Sequence, residues 1–167
     1  MTRRLGRWHA EERGQGLLEL LVSMPLVAVL LIALGTAFAF GVRAYVFLLG
    51  DWELQKQVAF AMERMTTDLR YAEDVTVTGD TLRVFCRMTS EAPQRIVYER
   101  TSETLPRMMR DHQPMTGESS LGTIAMTRFT AEAVGARTIF LRLGGENRLT
   151  GHTYELETAV TWTGKGS

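Results

Sequence analysis

Hydrophobic and polar positions change their spacing twice along this chain. From Leu20 to Val42 there are 23 consecutive residues without a charge. From Leu54 the apolar positions step by three and four through Val58, Ala61, Met62, Met65, Leu69 and Ala72. The opposite face of that stretch carries Glu53, Lys56, Glu63, Arg64, Thr67 and Asp68. After Asp74 apolar and polar residues alternate. The first pattern is a helix apolar all round, the second an amphipathic helix, and the third a run of half-buried strands. The spacing predicts one helix from about Leu17 to Tyr71, on the order of 80 Å long, and then an antiparallel sheet. Gly41 and Gly50 weaken that helix by about 1 kcal/mol each without ending it.

The strand pattern is specific enough to place. Val75 and Val77 lead into Gly79-Asp80, and Leu82, Val84, Cys86 and Met88 then alternate with Arg83, Phe85 and Arg87, as in a hairpin. Ile96 and Tyr98 mark a further strand with Leu105 to Met109 as its return partner. Asp111 to Gly122 is rich in Pro, Gly, Ser and Thr and reads as a loop. Ile124 to Phe129 and Thr138 to Leu143 read as strands, and Gly144 to Gly151 as a connection. Tyr154, Leu156, Thr158, Val160 and Trp162 share one face of the last strand. Connections this short exclude parallel crossovers, which need a dozen or more residues. The fold class is therefore α+β, a long N-terminal helix packed on a C-terminal antiparallel sheet.

Charge and composition narrow the function. Lys+Arg and Asp+Glu are equal at 19 each among 167 residues, so no global basic field favours nucleic acid. Cys86 is the only cysteine, which excludes an intramolecular disulfide and a cysteine-based zinc cage. It reads as core packing on an apolar strand face. His9, His112 and His152 lie in segments rich in turn formers and read as solvated. No Gly-x-Ser-x-Gly, His-Glu-x-x-His or Walker loop occurs. The Met-rich pieces at Arg107-Met-Met-Arg110 and at Met62 and Met65 read as packing filler. The expectation is a protein that is no enzyme and needs no cofactor or metal, and no nucleic-acid contact is expected.

At about 1.5 Å per residue, the uncharged run is long enough to cross a hydrocarbon core of about 30 Å. It is too long for the core of a secretory signal, and no small-residue cleavage site follows it. Arg3, Arg4, Arg7 and Arg13 precede it against Glu11 and Glu12, so the positive-inside bias puts the N-terminus in the cytoplasm and the later residues outside. One carboxylate, Glu19, sits at the start of the run, where a charge is costly and marks a functional position by default.

Basic residues, Gly14, Glu19 five residues on and then an apolar helix together resemble the class III signal of type IV pilins and pseudopilins. In that family a membrane peptidase cuts after the glycine and leaves the apolar run in the mature protein. The resemblance implies a cut between Gly14 and Gln15, with Glu19 the fifth mature residue; a cut after Gly16 would make Glu19 the third and fits the pattern less well. It divides the chain into a cleaved leader (1–14), an apolar transmembrane or filament-core helix (15–42), an amphipathic helix (43–73) and an antiparallel β domain (74–167). Removing the leader leaves 15 Lys+Arg against 17 Asp+Glu. Glu19 is then placed to pair with the new amine of Gln15, since a buried carboxylate needs a partner. The stretch from Leu54 to Ala72 resembles the second helix half of PilW-like minor pilins and of the J-type minor pseudopilin of type II secretion. The implied architecture is the pilin fold.

Three features depart from the family's usual pattern. Gln15 stands where Phe or Met is usual at the new N-terminus, which bears on methylation of that amine. Pro25 is placed as in TadE-like pseudopilins of tight-adherence systems, a rival within the superfamily, and its missing N–H marks a weak point in the helix. The lone Cys86 provides no C-terminal disulfide loop. The function implied is structural: a minor pilin or pseudopilin of a type IV pilus, a competence pseudopilus or a type II secretion pseudopilus. Its implied partners are the prepilin peptidase, other major and minor pilins, the inner-membrane assembly platform and membrane lipid. It would lie in the cytoplasmic membrane as a single-pass protein and then in the filament at the cell envelope or surface. A single-pass receptor or adhesin with an outer ligand-binding sheet is the rival of a different class.

Overall fold

The computed structural model describes residues 5–86, 94–117, 122–162 and 164, with side chains described from Glu19 onward. The architecture is α+β. Among the described residues one helix, α1 (Leu5–Arg70), precedes eight strands: β1 (Ala72–Thr78), β2 (Thr81–Cys86), β3 (Gln94–Arg100), β4 (Met108–Arg110), β5 (Gln113–Pro114), β6 (Ile124–Ala133), β7 (Thr138–Asn147) and β8 (His152–Thr161). The chain divides into two units, residues 1–45 and 46–167.

In the first unit every described residue from Glu19 to Tyr45 is exposed. The two hydroxyls of the uncharged run bond back to their own helix, Ser23 Oγ to the Leu20 carbonyl at 3.2 Å and Thr36 Oγ1 to the Ala33 carbonyl at 2.8 Å. No side-chain hydroxyl in the run therefore needs water, as a helix in hydrocarbon requires. The helix continues through Pro25 without interruption.

In the second unit α1 changes character. Leu54, Val58, Ala61, Met62, Met65 and Leu69 are buried in one core with inward residues from seven strands. These include Leu82 and Val84 of β2, Ile96 and Tyr98 of β3, Met108 of β4, Met126 and Phe129 of β6, Leu141 and Leu143 of β7 and Val160 of β8. Each buried aliphatic side chain of this kind contributes about 1.5–3 kcal/mol before chain entropy is charged against it. The stripe is the one its spacing predicts as far as Leu69, with two corrections: α1 ends at Arg70, so Ala72, expected on the helix, opens β1 instead, and the second concerns Asp68. Asp68, expected on the solvated face, is fully buried. At 100° per residue it falls on the flank of the stripe beside Leu69 and Met65, and it is kept there by polar partners from the sheet.

The strands form two antiparallel sheets, β1-β2-β3-β4-β5 and β6-β7-β8. Gly79-Asp80 closes the β1–β2 hairpin, with Thr78 opposite Thr81 and Gly79 at φ 57°. Asp111 and His112 lie within the expected loop but make a two-residue turn between β4 and β5, at φ 49° and 65°. The short β5 ends at Pro114, which has no N–H to extend the ladder. The first sheet stops there and a second begins at β6. The expected connection at Gly144 to Gly151 is also shorter in fact. Gly144 and Gly145 are ladder residues of β7, opposite Arg128 and Met126 on one side and Glu155 and Tyr154 on the other. A Cβ on Gly145 would lie 2.8 Å from Leu54 Cδ1, 3.2 Å from the Ala125 carbonyl and 3.3 Å from Val58 Cγ2. This glycine lets the helix approach the sheet; it does not turn the chain.

Candidate functional site

Of the four positions singled out in the sequence, Gly14 and Gln15 precede the residues whose side chains are described. Glu19 is exposed at the start of the uncharged helical run, and Pro25 is exposed within it. Among the described residues one helix is long and apolar enough to cross a membrane, with none of its most apolar stretch buried. The large side chains of that stretch, from Leu20 through Leu34 to Phe40, lie open on every side of the helix. An all-round apolar surface of this kind requires lipid or other apolar helices around it.

The second unit holds two polar clusters that fasten α1 to the sheets. The first centres on Asp68. Its Oδ2 accepts from the Tyr98 hydroxyl at 2.5 Å, from Arg110 Nε at 3.2 Å and from Arg110 Nη2 at 3.1 Å. Oδ1 has no hydrogen-bond partner among the described residues. The Cys86 thiol donates to the Asp68 backbone carbonyl at 3.1 Å. Burial, and then the hydrogen bond and charge of Asp68, push the Tyr98 hydroxyl well above the usual phenol range. Burial and then Asp68 likewise raise the Cys86 thiol, so this cysteine stays a packed, protonated group.

The second cluster centres on Asp51, one residue after the buried Gly50. Its Oδ1 accepts from Asn147 Nδ2 at 2.9 Å and Thr150 Oγ1 at 2.7 Å, and its Oδ2 lies 2.6 Å from His152 Nδ1. Asn147 Oδ1 in turn accepts from the Leu149 N–H at 3.0 Å, which shapes the β7–β8 turn. Burial raises the Asp51 carboxyl, but hydrogen bonds from His152, Thr150 and Asn147 outweigh it and hold the group below the usual carboxylate range. His152 is thus 70% exposed but not simply solvated, a correction to its sequence reading. Between the two clusters Gln57 Oε1 accepts from the Gly117 N–H at 2.8 Å. Gly117 sits at φ 93° with Arg107 packed where a side chain would go.

The face of α1 turned away from the core carries Trp52 and Phe60, both more than half exposed, with the Lys56 ammonium 5.1 Å from the Trp52 ring centre. With Glu53 and Gln57 these residues line a shallow cavity of about 210 Å³. Among the described residues no group of three or more His, Cys, Asp or Glu is placed to hold a metal ion. The clusters at Asp51 and Asp68 join helix to sheet. Comparison with family models, curated proteins and solved structures returned no match.

Proposed function

We propose that the chain is a minor pilin or pseudopilin, anchored in the cytoplasmic membrane by its N-terminal helix and passed from there into a type IV pilus or a related pseudopilus. The observation that carries this reading is a conjunction. Gly14 and Glu19 stand at signal spacing before 23 uncharged helical residues whose described side chains are exposed all round, and the chain continues into a helix packed on antiparallel sheets. A free-standing anchor needs the span but has no use for a glycine five residues before a carboxylate. On this reading the prepilin peptidase cuts after Gly14, and the new Gln15 amine pairs with Glu19 of its own or a neighbouring subunit. Gly14 and Gly16 each lower local helix stability by about 1 kcal/mol, which eases the opening a peptidase requires. Pro25 frees the Leu21 carbonyl and supplies a point where the helix can yield between lipid and filament. The exposed Trp52 and Phe60 offer apolar contacts to other pilins, and the same exposed span suits membrane lipid before assembly. The inner-membrane platform is the remaining partner the reading requires, and a structural role leaves the chain without catalysis of its own.

The test is intact mass of the membrane-fraction protein, taken together with co-purification of partner pilins. Loss of residues 1–14 is expected in the wild type, and a bulky Gly14→Val should block the cut. Glu19→Leu should leave the cut intact while lowering co-purification. Mature protein that still carries Arg3 and Arg4 would overturn the reading.

A further inference from the structure

Two sheets have four edges, and three of them are blunted against further pairing. β5 is two residues long and ends in Pro114. β1 has a register break between Ala72 and Asp74, and Gly164 packs against the Glu73 carbonyl there. β6 has a break between Met126 and Arg128, and the Met126 N–H is taken by the Pro106 carbonyl at 2.7 Å. The edge of β8 has none of these protections. It runs ten residues in unbroken register with β7 and contains no proline and no lysine. A long, regular, unprotected edge is a template for another strand.

The alternation of an antiparallel ladder says which groups are free. Trp162 N–H bonds to the Arg137 carbonyl and Val134 N–H to the Thr138 carbonyl, which fixes the phase on both sides of β7. In β8 the backbone groups of Tyr154, Leu156, Thr158 and Val160 therefore face β7. Those of Thr153, Glu155, Glu157, Ala159 and Thr161 face the open edge. Among the described residues none of these outer backbone groups has a partner. Beside the edge lies a groove of about 520 Å³ between β8 and the α1 flank formed by Ala59, Met62, Glu63, Thr66 and Arg70. Leu156 and Thr158 on the inner side of β8 are only half-buried because nothing described lies across that groove.

We propose that β8 accepts an extended strand of another protein, which adds to the second sheet, fills the groove with small β-branched side chains and presents Lys or Arg beside Glu155 and Glu157. Charge selects this occupant over a second copy. Glu155 and Glu157 are the charges on the outer face of β8, and they are held there by Arg128 and Arg142. Two β8 edges paired antiparallel in their longest registers would set Glu157 opposite Glu157, or Glu155 opposite Glu157. Like charges directly opposite destabilise a ladder. A basic strand meets the same row with attraction. The inference concerns residues 152–161 and the α1 flank, and it stands whether or not the filament reading does.

The experiment uses the full chain in detergent micelles and a fluorescein-labelled peptide, Gly-Thr-Val-Lys-Val-Lys-Val-Thr-Gly, with a second peptide in which both Lys are Glu. Fluorescence anisotropy should show saturable binding of the Lys peptide, with the Glu peptide weaker by about tenfold or more. Ala159→Pro removes one outward N–H and leaves the β7 ladder intact, and it should weaken the Lys peptide by a similar factor. The pair Glu155→Lys and Glu157→Lys should reverse the preference, and this decides the matter if Ala159→Pro loses its near-ultraviolet circular dichroism. Equal binding of the two peptides, absence of saturable binding, undiminished binding by folded Ala159→Pro, or a dimer of the chain that Ala159→Pro abolishes would each overturn the proposal.

Discussion

Replacing Asp68 with Asn tests whether a charge holds the end of the helix to the first sheet. The substitution keeps the shape and removes the charge that faces the Tyr98 hydroxyl and two nitrogens of Arg110, all on one oxygen. Breaking a buried ion pair from one side costs about 3–5 kcal/mol. Two observations lower that figure here. The Arg110 side chain is 25% exposed and keeps part of its hydration, and Asp68 Oδ1 is already without a partner among the described residues. About 2–3 kcal/mol remains, which in a unit of this size lowers the melting midpoint by roughly 10 °C. Tyr98→Phe removes one donor to a charged group and should cost about 1.5–3 kcal/mol. Because both substitutions act on one oxygen, the double variant should fall short of additivity by about 1 kcal/mol. The assay is thermal unfolding followed by near-ultraviolet circular dichroism, with a spectroscopic titration of the four tyrosines alongside. In the titration one tyrosine should ionise well after the rest, and that laggard should disappear in Tyr98→Phe. The sign follows from Tyr98 being raised: its contribution is complete below about pH 10 and is lost as pH climbs toward the folded-state value. A melting midpoint unchanged in Asp68→Asn would refute the reasoning, because it would mean that the charge does not hold the end of the helix to the first sheet.

Two further outcomes follow from the packing and the second cluster. Gly145→Ala should destabilise by about 1–3 kcal/mol through its contacts with Leu54, Val58 and the Ala125 carbonyl, whereas Gly144→Ala, with nothing nearer than 3.5 Å, should be nearly neutral; denaturant midpoints at unchanged slope measure both. Asp51 is lowered, so its contribution is present above its unfolded value of 3.8 and is lost as pH falls through the folded one. Stability curves of wild type and Asp51→Asn should therefore differ by no more than about 1 kcal/mol near neutrality and converge below pH 4.

Much of the fold is legible in local spacing. Leu82, Val84 and Cys86 alternate in the sequence and are buried in alternation, and the helix stripe from Leu54 to Leu69 lies where steps of three and four put it. Local rules failed where a residue answers to a distant partner. Asp68 looks like a solvated helix residue because Tyr98 and Arg110 are 30 and 42 positions away. Gly144-Gly145 looks like a turn because glycine is the usual turn signal, but its smallness serves the helix above it. Asp111-His112 carries no common hairpin signature, yet Asp111 Oδ1 accepts the Val97 N–H at 2.8 Å and this supports a left-handed turn. Gly14 and Glu19 could be singled out as candidates because their spacing is linear. Asp51 and Asp68 could not, because each cluster is assembled from separate elements.

The two aspartates also explain how a repetitive stripe finds one position on the sheets. Leu, Val, Ala, Met and Leu at steps of three and four would meet a similar apolar surface after a shift of one turn, about 5.4 Å. Burial alone therefore discriminates weakly between registers. Asp51 and Asp68 stand 17 residues apart on α1, about 25 Å along the axis. The first meets its partners at the β7–β8 turn, and the second meets its sheet partners between Tyr98 and Arg110, with Arg64 of its own helix 3.8 Å away. A one-turn slip would strand the Asp68 carboxylate in the core and separate Asp51 from Asn147 and Thr150, so both clusters penalise the same error. Buried polar pairs often add little to net stability, and their best-attested use is to fix register. On that argument Asp68→Leu would keep much of the hydrophobic stabilisation and lose uniqueness of docking. Its signature would be retained far-ultraviolet helix signal with a weakened near-ultraviolet spectrum, the opposite of a variant that merely lowers the melting midpoint.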